Sequence, residues 1–202
     1  GSGASSVWIV GTGGLIRFYD GTAWGVQTSG TAVDLRGISG ASASLVWAVG
    51  RSGEVRFFDG TTWSSQDSDT NQDLNAIDVV SGTKAVAVGN RTSSTLWDGA
   101  AWTSRQAPLP ASTLPAVWAT DDDKVWFAGN GGAIYRWNGA SFVSTPSGTN
   151  VALSALWGFD DNNIWAVGAA GTILRWNGTA WAAQTSGTTT ALNGVWGTST
   201  TN

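Results

Sequence analysis

Leu35, Leu74, Leu114, Leu153 and Leu192 recur at spacings of 39, 40, 39 and 39 residues, and each opens a matching segment. A period of this size commits the chain to repeated supersecondary units, because one such unit cannot bury its apolar face alone. Fifteen residues after each of the first four leucines comes a glycine: Gly50, Gly89, Gly129 and Gly168. Nine residues further stands an Asx-Gly pair: Asp59-Gly60, Asp98-Gly99, Asn138-Gly139 and Asn177-Gly178. The N-terminal stretch joins midway, with Gly11 and then Asp20-Gly21 at the same spacing of nine. The one extra residue falls near Pro108-Leu109-Pro110, which marks that stretch as a loop.

Each unit reads as four short strands. In the last full copy these are residues 153–157, 164–168, 172–176 and 180–184, strands A to D. Asn177-Gly178 predicts a two-residue type I′ hairpin between C and D, with positive φ at both positions. The run Ile164-Trp165-Ala166-Val167 has no polar alternation, so strand B is buried on both faces. Four-stranded units of about 40 residues are the signature of propeller blades. The third position of strand A is always small (Gly37, Ala76, Ala116, Ala155, Gly194), as expected where backbones converge. Pro115, which cannot donate in a ladder, places strand A at a sheet edge.

The eleven residues 192–202 and the 28 residues 7–34 together make one 39-residue repeat. The expectation is therefore an all-β, five-bladed β-propeller with four antiparallel strands per blade, a single domain over residues 7–202. The ring is closed by the C-terminal inner strand, residues 192–197, pairing with the N-terminal blade, which removes an open edge. The alternatives are a fragment of a larger propeller or an open array. Residues 1–6 read as a tag or disordered leader, and Gly1-Ser2-Gly3 as a cloning scar.

Comparing the copies sorts the 14 tryptophans by role. Strand B carries Trp8, Trp47, Val86, Trp126 and Trp165, and strand D carries Trp24, Trp63, Trp102, Phe142 and Trp181. Tyr19, Phe58, Trp97, Trp137 and Trp176 precede the Asx-Gly pairs. These three aromatic rows are the expected glue between blades, each ring removing ~150–250 Å² from water. The fifth position of strand A differs: Trp118, Trp157 and Trp196 in three copies, Ser39 and Asp78 in two. A position that accepts Asp78 is at least partly exposed. Polar A–B loops follow, Asp121-Asp122-Asp123-Lys124 and Asp160-Asp161-Asn162-Asn163. Indole faces beside carboxylates and amides suit a sugar, so Trp118, Trp157, Trp196, Asp122, Asp161 and Asn162 form the candidate ligand site. The competing reading is that these indoles fill a channel mouth.

Other chemistry is thin. The chain has no His and no Cys, which removes the commonest general base and the commonest metal and thiolate ligands. A net charge of −4 argues against nucleic acid. No apolar run is long enough to span a bilayer, and no charged leader with an apolar h-region opens the chain. The acidic run 121–123 reads as a solvated turn rather than a Ca²⁺ loop, because it lacks the spaced oxygens and glycine of one. Gly11-Thr12-Gly13-Gly14 reads as a turn, not a phosphate cradle. Arg17 and Arg56 lie three residues before Asx, but Arg136 and Arg175 lie two before, so they occupy opposite strand faces. With Glu54 the only glutamate and two tyrosines, a sialidase-like site cannot be assembled. No enzyme, cofactor or metal is expected.

The stretch Ile173 to Trp181, Ile-Leu-Arg-Trp-Asn-Gly-Thr-Ala-Trp, with the Val-Trp strand before it, resembles the tectonin-type repeat of lectin-like propellers. It also resembles the Asp-box repeat of sialidase-like and photosystem-assembly-factor-like propellers, although that motif sets Asp two residues before Gly. It is not a WD repeat, whose Gly-His element requires His, nor a kelch repeat. The tectonin resemblance implies a monomeric, secreted or cell-surface bacterial module recognising glycans. The competing reading is a structural or protein-interaction scaffold with another protein as partner, including an engineered or reconstructed propeller without a natural ligand.

Overall fold

The computed structural model describes residues 5–106, 113–121 and 124–198. The chain divides into two compact units, Gly1–Ala107 and Pro108–Asn202. The first holds three antiparallel sheets: β1 (Val7–Val10), β2 (Ile16–Tyr19) and β3 (Trp24–Gln27); β4 (Leu35–Ser42), β5 (Leu45–Gly50), β6 (Val55–Phe58) and β7 (Trp63–Gln66); and β8 (Leu74–Ser81), β9 (Lys84–Gly89), β10 (Ser93–Trp97) and β11 (Trp102–Gln106). The second holds two: β12 (Ala116–Asp121), β13 (Lys124–Ala128), β14 (Ile134–Trp137) and β15 (Phe142–Ser144); and β16 (Leu153–Asp160), β17 (Asn163–Gly168), β18 (Ile173–Trp176) and β19 (Trp181–Gln184). Within every sheet the strands lie in chain order, so all pairings are local hairpins.

Three details differ from expectation. Strand A runs further than the repeat suggests, to Asp160 in β16, because its ladder with β17 continues past shifts in register at both ends. Pro115 lies just before β12 and not within it. The C–D hairpin is not a two-residue type I′ turn. Tyr19 pairs with Trp24, leaving a four-residue loop, and only the glycine has positive φ (Gly21 99°, Gly178 95°). The Asx side chain instead caps the loop: Asn177 Oδ1 accepts from the N–H groups of Thr179 and Ala180, both at 3.0 Å.

The B–C connection is a single 3-10 turn with two successive residues at positive φ, such as Ser52 (54°) and Gly53 (73°). A Cβ at Gly53 would lie 1.9 Å from the Thr70 carbonyl oxygen, so glycine is required by space as well as by φ. That carbonyl belongs to a Ser-x-Thr loop in which the Ser68 hydroxyl donates to it at 3.0 Å. The same loop recurs as Ser29-Gly30-Thr31, Ser147-Gly148-Thr149 and Ser186-Gly187-Thr188. The third copy departs in both halves: Thr92 (φ 60°) stands in the glycine position, and its D–A connection carries Pro108-Leu109-Pro110.

The aromatic rows pack sheet against sheet within each unit. Trp47 and Trp126 are 1% and 0% exposed. Trp63 joins the cluster of Trp8, Ile16 and Phe58, and Trp102 joins that of Trp47, Val49 and Leu74. In the second unit Trp181 packs with Trp126. Trp63, Trp102 and Trp181 thus cover the B-strand rings Trp8, Trp47 and Trp126 of the preceding sheets. At about 25 cal/mol per Å² an indole contributes roughly 4–6 kcal/mol gross.

The first sheet has three strands, and residues 192–197 lie outside any strand. Leu192 N–H nevertheless donates to the Gly168 carbonyl at 2.9 Å, the bond by which Leu35 N–H meets Gly11 and Leu153 N–H meets Gly129.

Candidate functional site

The expected sugar-site residues are dispersed among structural tasks. Trp118 sits opposite Trp126 across the β12–β13 ladder and packs on the buried core. Its ring edge closes on Gly158 of the next sheet, where a Cβ would lie 2.8 Å away. Trp157 is half-buried, edge-on to Phe159 at 4.2 Å and 6.2 Å from Trp165. Trp196 lies beyond the last strand, 76% exposed. Asp161 accepts the Thr120 hydroxyl at 3.0 Å, pairs with Lys124 at 2.5 Å, and receives the Trp176 indole N–H on its carbonyl at 2.9 Å. Asn162 donates its backbone N–H to Asp160 at 2.8 Å. Asp122 lies outside the described residues. Trp118 and Asp161 therefore share a neighbourhood, but their polar and aromatic surfaces are engaged with protein.

The arginines follow their expected faces. Arg56 lies opposite Ala48 and pairs with Glu54 at 2.5 Å, whereas Arg136 and Arg175 lie opposite Trp126 and Trp165 and stack over them at 5.7 and 5.2 Å. Among the described residues no group of three metal-ligating side chains converges.

Two hollows open on the first unit. The larger, of 630 Å³, lies along residues 12–16 and 26–32 of the first sheet and has no charged side chain in its wall. The smaller, of 350 Å³, lies where the end of β7 meets the β10–β11 hairpin, and it combines Asp67, Asp69, Gln66, Trp97 and Trp102. Trp102 anchors its floor: its ring is 4% exposed, with the indole N–H on Gln66 Oε1 at 2.9 Å. Trp97 lies 5.8 Å from it, half-buried, with its N–H on the Gly82 carbonyl at 3.2 Å. Both polar tips point into protein, so the rings contribute aromatic surface.

The two carboxylates set this groove apart. In the other described copies the Ser-Gly-Thr loop carries Thr28, Pro146 or Thr185 before the serine and Gly30, Gly148 or Gly187 after it. The second copy has Asp67 and Asp69 there, and Asp69 holds φ 56° where its counterparts are glycines at 71–75°. A non-glycine in this region carries local strain. Asp69 is fixed by Ser104 N–H on its carboxylate at 2.9 Å and by its own N–H on Asp67 at 2.9 Å. Sequence reasoning overlooked the pair, which shows only when the four loops are aligned on their serines.

No family model matches the chain, and no curated protein matches it. Among solved structures, the WD40 β-propeller domain of Doa1 is similar with a TM-score of 0.70 at 15% identity, covering 88% of this chain and 63% of that one. The WD40 repeats of RRP9 align with a TM-score of 0.72 at 8% identity, covering 90% of this chain and 62% of that one. A structure of YCF48 bound to D1 peptide aligns at 18% identity over 87% of this chain and 76% of that one, with a TM-score of 0.48. The chain thus spans less than two thirds of the WD40 structures it matches. The fold is a β-propeller-type repeat with five antiparallel sheets.

Proposed function

We propose that the chain is a non-catalytic protein-interaction module whose β7/β10–β11 groove takes a basic side chain of a partner. The observation that carries this reading is the placement of two exposed carboxylates beside two indoles in one hollow, in a copy that has aspartate where three others have the loop glycine. A lysine or arginine head is drawn by carboxylates and by the indole face together, at about 0.5–2 kcal/mol for the aromatic part. A chain with net charge −4 adds long-range attraction for basic partners. Carbohydrate recognition, the competing reading, has exposed Trp196 in its favour, while Trp118 and Asp161 are already committed to protein contacts.

The test is a titration followed by the indole N–H signals in ¹⁵N NMR. N-acetyl-lysine methylamide should shift Trp97 and Trp102, and the uncharged norleucine analogue should not. The double variant Asp67→Asn/Asp69→Gly should lose the lysine response while its Tm stays within a few degrees, because glycine relieves the strain at 69. Equal response to both probes, or none to either, would sink the groove. Shifts of Trp157 and Trp196 by a saccharide panel would establish the carbohydrate reading instead.

We also infer that residues 192–197 provide the strand missing from the first sheet. The tail leaves Gly168 by the bond that leads the second and fifth copies into strand A at Leu35 and Leu153. Trp24 is 44% exposed, Ile9 45% and Val26 68%, on the face that the preceding sheet covers in other copies.

A further inference from the structure

In the β4–β7 sheet one amide oxygen serves two buried indoles. Gln66 Oε1 accepts from Trp47 of its own sheet at 3.0 Å and from Trp102 of the next at 2.9 Å. In the second unit the counterparts of those indoles are Trp126 and Trp181, and the counterpart of Gln66 is Thr145. Gln66 stands opposite Val55, and Thr145 meets the matching Ile134, donating both its N–H (2.9 Å) and its hydroxyl (3.2 Å) to that carbonyl. The shorter side chain is thus turned to the backbone.

Trp126 and Trp181 are 0% and 9% exposed, with their rings edge to face at 5.7 Å. The Nε1 atoms of both meet no acceptor among the described residues. Arg136, the register partner of Trp126, stacks over that ring at 5.7 Å and leaves a buried Nε unpaired as well. Buried donors without partners are rare and costly, and each calls for an occupant. Trp8 Nε1 is also unpaired, but there Gln27 fills the site and is taken by Trp63 at 2.7 Å. At Thr145 the amide itself is gone. Its two extra heavy atoms correspond to the ~30 Å³ that one water takes up.

We propose that the second unit binds a single-atom hydrogen-bond acceptor, a water oxygen or a chloride ion, between Trp126 and Trp181 where Gln66 Oε1 sits in the earlier sheet pair. The guanidinium of Arg136 beside it favours the anion. A water there would also have to place its own protons against indole and guanidinium donors.

The test uses crystals of the full chain grown in sodium chloride and a matched set soaked in sodium bromide, with data collected at the bromine edge. A density peak within about 3.5 Å of both indole nitrogens is expected. An anomalous signal at that peak identifies a halide, and a peak without one identifies water. Rings in contact with no density between them overturn the proposal. Thr145→Gln should abolish the peak, bring the new amide oxygen onto both indoles and raise Tm by about 2–4 °C. A peak that persists unchanged in that variant also overturns it. Should the variant not fold, the density in the unaltered chain decides alone.

Discussion

Asp20 holds its hairpin with one oxygen, which accepts from the Thr22 hydroxyl at 2.6 Å and from the N–H groups of Thr22 and Ala23 at 2.8 and 2.9 Å. The Thr22 hydroxyl first, then those two N–H groups, draw its carboxyl down from 3.8 to about 2. Asp59 and Asp98 are lowered chiefly by the N–H groups of Thr62 and Ala101. Because the folded form holds the ionised carboxylate, this stabilisation is complete above the ordinary value of 3.8 and is lost as pH falls toward 2. Asn138 and Asn177 do the same work without titrating. The triple variant Asp20→Asn/Asp59→Asn/Asp98→Asn should therefore keep its Tm at neutral pH and show a flatter decline between pH 4 and 2. An identical acid profile would refute the account. The position of each Asx-Gly pair was legible in the sequence, but its conformation was not. A capping oxygen reaching two and three residues on replaces the second positive φ, and the dipeptide alone does not reveal which occurs.

In three of the five copies the outer strand carries a glutamine at one register position, Gln27, Gln66 and Gln184. Gln66 satisfies two buried indoles, Gln27 only the half-buried Trp63. Stripping an acceptor from a buried donor costs about 1–3 kcal/mol. Gln66→Ala should accordingly destabilise the chain by about 2–4 kcal/mol and Gln27→Ala by no more than about half of that. Denaturant midpoints at constant m-value measure both, and equal losses would refute the shared-acceptor role. Strand order and the aromatic rows were readable from period and apolar runs, since both follow from backbone pairing and burial. The Gln–Trp link was not, because its partners stand 36 residues apart in different copies. The same blindness affected the candidate site. Trp118 and Trp157 were rightly placed at a partly exposed position, but the contacts with Gly158 and Phe159 that occupy their rings are not periodic.

For the whole molecule the seam is the decisive question. In the proposed closing strand, the register that sets Ile38 opposite Ala48 would set Val195 opposite Ile9. The chain has no native cysteine, so Ile9→Cys/Val195→Cys carries a single possible intramolecular bridge. On mild oxidation it should form a monomeric disulfide and raise Tm relative to the reduced form. Intermolecular dimers alone, or free thiols, would dismiss the closing strand. The circular count behind the proposed seam is a feature of the sequence, whereas the split between Ala107 and Pro108 coincides with the copy that carries Pro108-Leu109-Pro110 in place of a Ser-x-Thr loop. A glutamine that serves the indole of the following copy has an evolutionary corollary. The heritable module is a junction rather than a sheet, so duplicating or deleting one copy brings mismatched donors and acceptors face to face. Such an array tolerates growth only where, as with Gln27 and Gln66, consecutive copies have kept the same half of the pair.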